Sequence, residues 1–215
     1  MQQLLTGRLK PSGEIRLDSE WHEHPRLGRF PSTWKAGRAK EFFVLQRGVD
    51  LPDVDAKSGS IPVVKSNGIE NYHDAFQVLP PGVVTGRSGT IGKVFYIEEP
   101  FWPHNTTLYV KNFRGNEPLF IYFLLEFLHL ERHLAGTTIP TLNRNDIHRL
   151  WISIPAATTE QQEIANTLRN CESLIRAKEQ KIASLQRLKK SLMQNLLTGR
   201  VRLQVESSAK NEAAR

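Results

Sequence analysis

The chain has 215 residues, 39% hydrophobic and 24% charged, the mix of a globular protein with room for one domain plus an extended element, or for two small domains. Its net charge of +7 suits a polyanionic partner. No apolar run nears the roughly 18 residues of a membrane span, and Met1 to Arg8 lacks the order of a secretory signal, so a soluble, cytoplasmic protein is expected.

The N-terminal nine residues, Met1-Gln-Gln-Leu-Leu-Thr-Gly-Arg-Leu9, recur as Met193-Gln-Asn-Leu-Leu-Thr-Gly-Arg-Val201, with seven positions identical. A sequence that begins as it ends reads as one period of a tandem design. Residues 10–35, rich in Pro, Gly and charge, read as irregular linker. From about 36 to 157 the pattern is of short strands broken by turn residues: Ile61–Val64, Gly82–Thr85, Lys93–Ile97, Thr107–Val110 and Leu150–Ile154. One helix interrupts them at about 117–133, where Phe120, Phe123, Leu124, Phe127, Leu128 and Leu130 form an apolar face wide enough for a helix buried in the core. Loops carry the Asn143-Arg144-Asn145 run and the Thr137-Thr138 pair.

From Thr158 to Leu197 there is neither Pro nor Gly. Thr158 with Gln161 three residues on has the form of a capping box, and Gly199 supplies a C-terminal stop. Alternating steps of four and three give Ile164, Leu168, Cys171, Ile175, Lys178, Ile182, Leu185, Lys189, Leu192 and Leu196, a 3.5-residue period that marks a coiled-coil seam. Lys178 and Lys189 weaken packing there and set register. A one-sided helix about 60 Å long needs a partner helix. Cys171, the single cysteine, excludes an intrachain disulfide and a thiolate metal site; within this seam it reads as a small buried hydrophobe. The positive charge is uneven. Residues 158–203 hold nine Lys and Arg against four Glu, whereas residues 1–157 are nearly balanced. The expected fold is thus α+β: short strands and a core helix, then one long coiled-coil α-helix.

Several runs occur in an order with a meaning of its own: Gly28-Arg-Phe-Pro-Ser-Thr-Trp34, Gly59 to Ile69, Gly86 to Val94, Gly136 to Leu142, Ile152 to Pro155, Glu160 to Ala165, and Leu185 to Arg202. As an ordered set they resemble the specificity (S) subunit of type I restriction-modification systems, over nearly the whole chain. The resemblance implies a residual conserved-region end and linker at 1–27, a target recognition domain at 28–157, a conserved helix at 158–203 and a disordered tail at 204–215. Family S subunits usually hold two recognition domains joined by two long antiparallel helices, and this sequence has half of that. The resemblance implies as partners double-stranded DNA, a methyltransferase subunit and a restriction/translocase subunit; its half length adds either a second copy of the chain (a homodimer) or another half-subunit, paired through Ile164, Leu168, Cys171, Ile175, Ile182, Leu185, Leu192 and Leu196.

Candidate DNA ligands are the donors near strand ends and in loops: Lys65, Ser66, Asn67, Arg87, Ser88, Thr90, Lys93, Asn105, Thr106, Lys111, Thr137, Thr138, Asn143 and Arg144. Gly86 to Lys93 is the strongest local candidate, since its three glycines permit close backbone approach to phosphate; a plain glycine-rich turn between core strands is the alternative. Arg38, Lys40 and Arg47 read as solvated surface. Enzymatic readings are weak. Pro52-Asp53-Val-Asp55-Ala-Lys57 only superficially suggests a nuclease, because carboxylates two residues apart do not converge on a metal. His22-Glu23-His24 lacks the spacing of a helical zinc site. No cofactor loop and no methyltransferase motif occurs. A coiled-coil assembly protein, or a truncated S-subunit remnant without DNA binding, is the competing reading.

Overall fold

The computed structural model describes residues 1–52, 58–133 and 140–201. Pro52 to Lys57 therefore lies almost entirely outside the described residues, as do Gly136 to Ile139 (with Thr137 and Thr138) and the 204–215 tail. The chain divides into two compact units, Met1–Leu168 and Arg169 onward. We call the first the head.

The head opens with α1 (Gln2–Leu5), a short 3-10 turn at Asp18–Glu20, and the hairpin β1 (Trp21–His24) with β2 (Gly28–Pro31). The expected irregular linker is thus ordered. Its strands lack the alternation that marks a strand in sequence, and contacts made elsewhere hold them. Leu4 and Leu5 enter the main core, while Gly7, at φ +72, lies where a Cβ would sit 2.2 Å from Pro31 Cγ. The positive φ and the missing side chain are both needed there.

Next come β3 (Trp34–Arg38), α2 (Ala39–Phe42), β4 (Val44–Arg47), β5 (Ile61–Lys65), β6 (Gly68–His73), β7 (Gly82–Gly86), β8 (Val94–Ile97), β9 (Trp102–Pro103) and β10 (Thr107–Asn112). The anticipated strands at 61–64, 82–85, 93–97 and 107–110 match β5, β7, β8 and β10 within a residue or two. A four-stranded antiparallel sheet runs β4-β10-β7-β8, and a three-stranded sheet β6-β5-β9 includes a parallel β5–β9 pair. Between β10 and β8, every residue of β7 is buried.

Against this β structure packs α3 (Pro118–Phe127), begun by a proline at its first turn, where the missing N–H is no loss. Leu119 through Leu125 are all buried, so the helix is enclosed on every side. A 3-10 turn, Leu130–His133, continues the segment. Residues 144–149, read as loop, instead form α4 (Arg144–Arg149), whose N-cap Asn143 accepts from the Asn145 amide. Strand β11 (Trp151–Pro155) then pairs antiparallel with β3.

Helix α5 (Thr158–Leu197) spans the range read from its periodicity. Its first turns belong to the head. Ile164 (0% exposed), Ala165 and Leu168 lie in the main core, which corrects the assignment of Ile164 and Leu168 to an intermolecular seam. Gln161 forms no capping box. Its buried carboxamide accepts from the Glu117 amide at 2.9 Å and donates to Asn116 Oδ1 and the Pro155 carbonyl. Arg16 and the Trp34 indole N–H both donate to Glu160, fixing the first turn from the N-terminal side.

Beyond Leu168 the seam is exposed: Cys171, Ile175, Ile182, Leu185 (54%), Leu192 and Leu196 all face solvent in the single chain. Cys171 is therefore not buried within its own chain. Leu174 and Leu188, also exposed, widen the apolar stripe beside the lysine positions. Gly199, at φ +69, ends the helix as anticipated.

Candidate nucleic-acid interface

Three turns that are remote in sequence meet at one end of the head. The β7–β8 connection, residues 87–93, folds on itself: a Cβ on Gly86 would lie 1.8 Å from the Thr90 carbonyl oxygen. Only glycine admits that approach. The Arg87 and Ser88 amides donate to the Thr106 carbonyl, and the Arg87 carbonyl accepts from the Leu142 amide. Thr90 Oγ1 donates to Asn67 Oδ1. Ser88 bridges Thr141. The 65–67 turn, the 87–93 loop, the 104–106 turn and the segment around 141 are thus one connected surface.

Nine of the fourteen candidate DNA ligands lie in these three turns, and Asn143 and Arg144 lie beyond Leu142 at the start of α4. Lys65 ends β5 and pairs with Glu70 at 3.2 Å, so its charge is partly neutralised, and Ser66 is buried. Asn67 and Lys93 are exposed, while Arg87, Ser88, Thr90, Asn105 and Thr106 are half-buried. Asn143 follows Leu142, and its side chain caps α4. Arg144, exposed, opens α4. Lys111 lies apart, near the far end of β10, four residues or about 13 Å along the strand from Thr107 and close to the β4 pairing of Asn112. Being at a strand end does not fix which end.

Two histidines of the head, one in the 104–106 turn and one on α4, have lowered pKa values. His104 Nδ1 lies 3.1 Å from Thr106 Oγ1, and burial, then the nearby Lys65 charge, push its pKa down. His148 Nε2 accepts from the buried Leu45 amide at 2.9 Å, and burial, followed by Lys40 and Arg144, lowers its pKa as well. Both rings are neutral in the fold but bind protons more readily in the unfolded chain. Their contribution is complete above the ordinary imidazole range and falls away as pH drops through it. Thermal unfolding at mildly acid pH should therefore show a lower midpoint than at neutral pH. His148→Ala should cost about 2 kcal/mol at neutral pH, through the orphaned Leu45 amide, and should reduce the acid sensitivity.

Residues 31–187 match the family model described as the type I restriction modification DNA specificity domain. The chain belongs to that family. The match takes in the head from the last residue of β2 onward and most of α5. Solved structures agree in fold. A type I restriction-modification S subunit from M. genitalium is 19% identical at a TM-score of 0.57, covering 86% of this chain and 46% of its own. The HsdS subunit of Thermoanaerobacter tengcongensis is 16% identical at 0.59, covering 82% and 47%. A third, from work on complex assembly and conformational transition of a type I R-M system, is 17% identical at 0.62, covering 77% and 46%. The specificity-domain chain thus spans about half the length of the solved structures it matches.

His22 and His24 sit on β1 against the rings of Phe30 and Trp151, and no cluster of metal-binding side chains occurs among the described residues. No helix among the described residues is long and apolar enough to cross a membrane.

Proposed function

We propose that the chain is a non-catalytic, cytoplasmic DNA sequence-specificity subunit whose head reads one half of a split target. The observation that carries this reading is the convergence of the 65–67, 87–93 and 104–106 turns on one surface of a specificity-domain fold. Side chains there have the donor chemistry for base edges and phosphates: a guanidinium, an ammonium, an amide and hydroxyls. Gly86 and its neighbours shape the loop, so Arg87 and Lys93 are assigned to phosphates and the polar 65–67 and 104–106 turns to bases.

In this reading the exposed seam from Cys171 to Leu196 pairs antiparallel with the same segment of a second chain. The helix then sets the spacing of two half-sites, and the paired helices recruit a methyltransferase subunit and a restriction subunit. Burying the six apolar seam positions is worth on the order of 10 kcal/mol before ordering costs, enough to drive association. A coiled-coil assembly protein or a remnant without DNA binding would share the seam but not the polar, glycine-shaped loop surface.

The test is DNA affinity across a salt series. Arg87→Ala/Lys93→Ala should weaken binding to a target duplex and lower the slope of log affinity against log salt by about two. An unchanged affinity and slope would remove the loop from the interface.

A further inference from the structure

A second basic feature of the head lies away from the three turns. A cleft of about 860 Å³ is lined by Arg38, Lys40, Arg114, His148 and Arg149, with Glu41 as the one carboxylate in its lining. Sequence gave no reason to link these residues, and Arg38 and Lys40 read as solvated surface. Glu41 is already engaged, since its Oε1 accepts from the Arg38 amide at 2.9 Å. Arg38 is held from two sides, donating to the Arg149 carbonyl and lying 4.8 Å from the centroid of the Trp151 ring. Lys40 and Arg114 have no carboxylate within ion-pair distance among the described residues. Arg149 is paired with Asp146 at 3.7 Å, so with Glu41 also counted the cleft is cationic by about two charges, those of Lys40 and Arg114 being the unpaired ones.

Arg114 adds an independent sign. Its φ is +54, a conformation that costs a non-glycine residue about 1 kcal/mol or more. The turn is pinned on both sides: Asn112 Oδ1 accepts from the Arg114 amide at 2.7 Å, and Asn116 Nδ2 donates to the Phe42 carbonyl at the end of α2. A glycine would relax the backbone here. An arginine in its place is held at a cost, with its side chain lining the cleft.

We propose that this cleft between α2 and α4 binds a phosphodiester of the DNA backbone, as a sequence-independent anchor beside the reading turns. The proposal rests on the DNA-recognition reading and deepens it. Helix α4 links the two features. Leu142, just before its cap, bonds to Arg87, and Arg149 lies at its last turn, about 9 Å further along the axis. That rise is comparable with two or three phosphates of one strand at roughly 3.4 Å each, so a single duplex has phosphates within reach of both.

The experiment is an anisotropy titration of the full chain with a fluorescein-labelled random-sequence duplex between about 50 and 200 mM salt. The test variant is Lys40→Ala/Arg114→Gly. Glycine accepts the positive φ, so this variant should fold with an unchanged or raised thermal midpoint. The proposal requires the salt slope to fall by about 1.8 and affinity to drop roughly 10- to 30-fold at physiological salt, with discrimination between sequences retained. A variant that keeps the wild-type slope overturns the cleft assignment and leaves the DNA-recognition reading standing. Absence of any duplex binding by the wild type overturns both. In that case a shift of the His148 ring resonances with inorganic phosphate would assign the cleft to a free anion.

Discussion

Replacing Glu160 by alanine is expected to destabilise the head by about 3–5 kcal/mol, the cost of leaving a buried charge without its partner. The Arg16 side chain is only 5% exposed, and its Nε already lacks a hydrogen-bond partner. Its guanidinium donates to Glu160 Oε1, and the same oxygen accepts from Trp34 Nε1 at 3.1 Å. Alanine would orphan both donors together. A loss of that size is a large part of the 5–15 kcal/mol that holds most domains together, so denaturant unfolding should show it as a marked fall in midpoint. Glu160→Gln keeps an acceptor for the indole but not the charge, and should fall between. A change under about 1 kcal/mol, the range of exposed ion pairs, would mean that Arg16 finds water or another acceptor.

The second large effect is on assembly. Ile182→Asp/Leu185→Asp places two charges on the exposed stripe and should turn a paired chain into a monomer in sedimentation at micromolar concentration. The head's unfolding transition should not move, because both positions lie outside Met1–Leu168. Ile164→Asp makes the contrast. Read as part of the same seam from its spacing, Ile164 is 0% exposed in the head's main core, so its substitution should unfold the head itself. If the Ile182/Leu185 variant sediments as the wild type does, the stripe is not the pairing surface.

That contrast shows where sequence was legible and where it was not. Periodicity reports an apolar stripe but not what covers it, so Ile164 and Leu185 looked equivalent. Helix α5 and strands β5, β7, β8 and β10 were readable because β-branched runs and an unbroken 3.5-residue period are local signals. The β1–β2 hairpin was not, since His22-Glu23-His24 and Gly28-Arg29 carry no alternation and are held by packing. Six-residue α4 is too short for a periodic signal, and its one clue was Asn143, a good N-cap. Gln161 has the local form of a cap, yet Asn116, Glu117 and Pro155 compete for it and win.

The candidate site divides in the same way. Donor-rich turns could be picked out along the chain, but not the meeting of Asn67 with Thr90 or of Arg87 with Thr106, which depends on sheet order. Lys111 was misplaced because a strand has two ends. The α2/α4 cleft gathers residues from positions 38 to 149, and the one local sign, a positive φ at Arg114, is invisible in sequence because Arg114-Gly115 reads as a turn whether Gly115 alone or, as here, both residues take positive φ.

Selection of bound sequences from a randomised duplex library, using the wild-type chain, tests the central claim most directly. Two short defined blocks, inverted with respect to each other and separated by a fixed number of unspecified base pairs, are the expected outcome. Enrichment of no sequence at all, with the duplex held equally whatever its bases, would contradict a sequence-reading head.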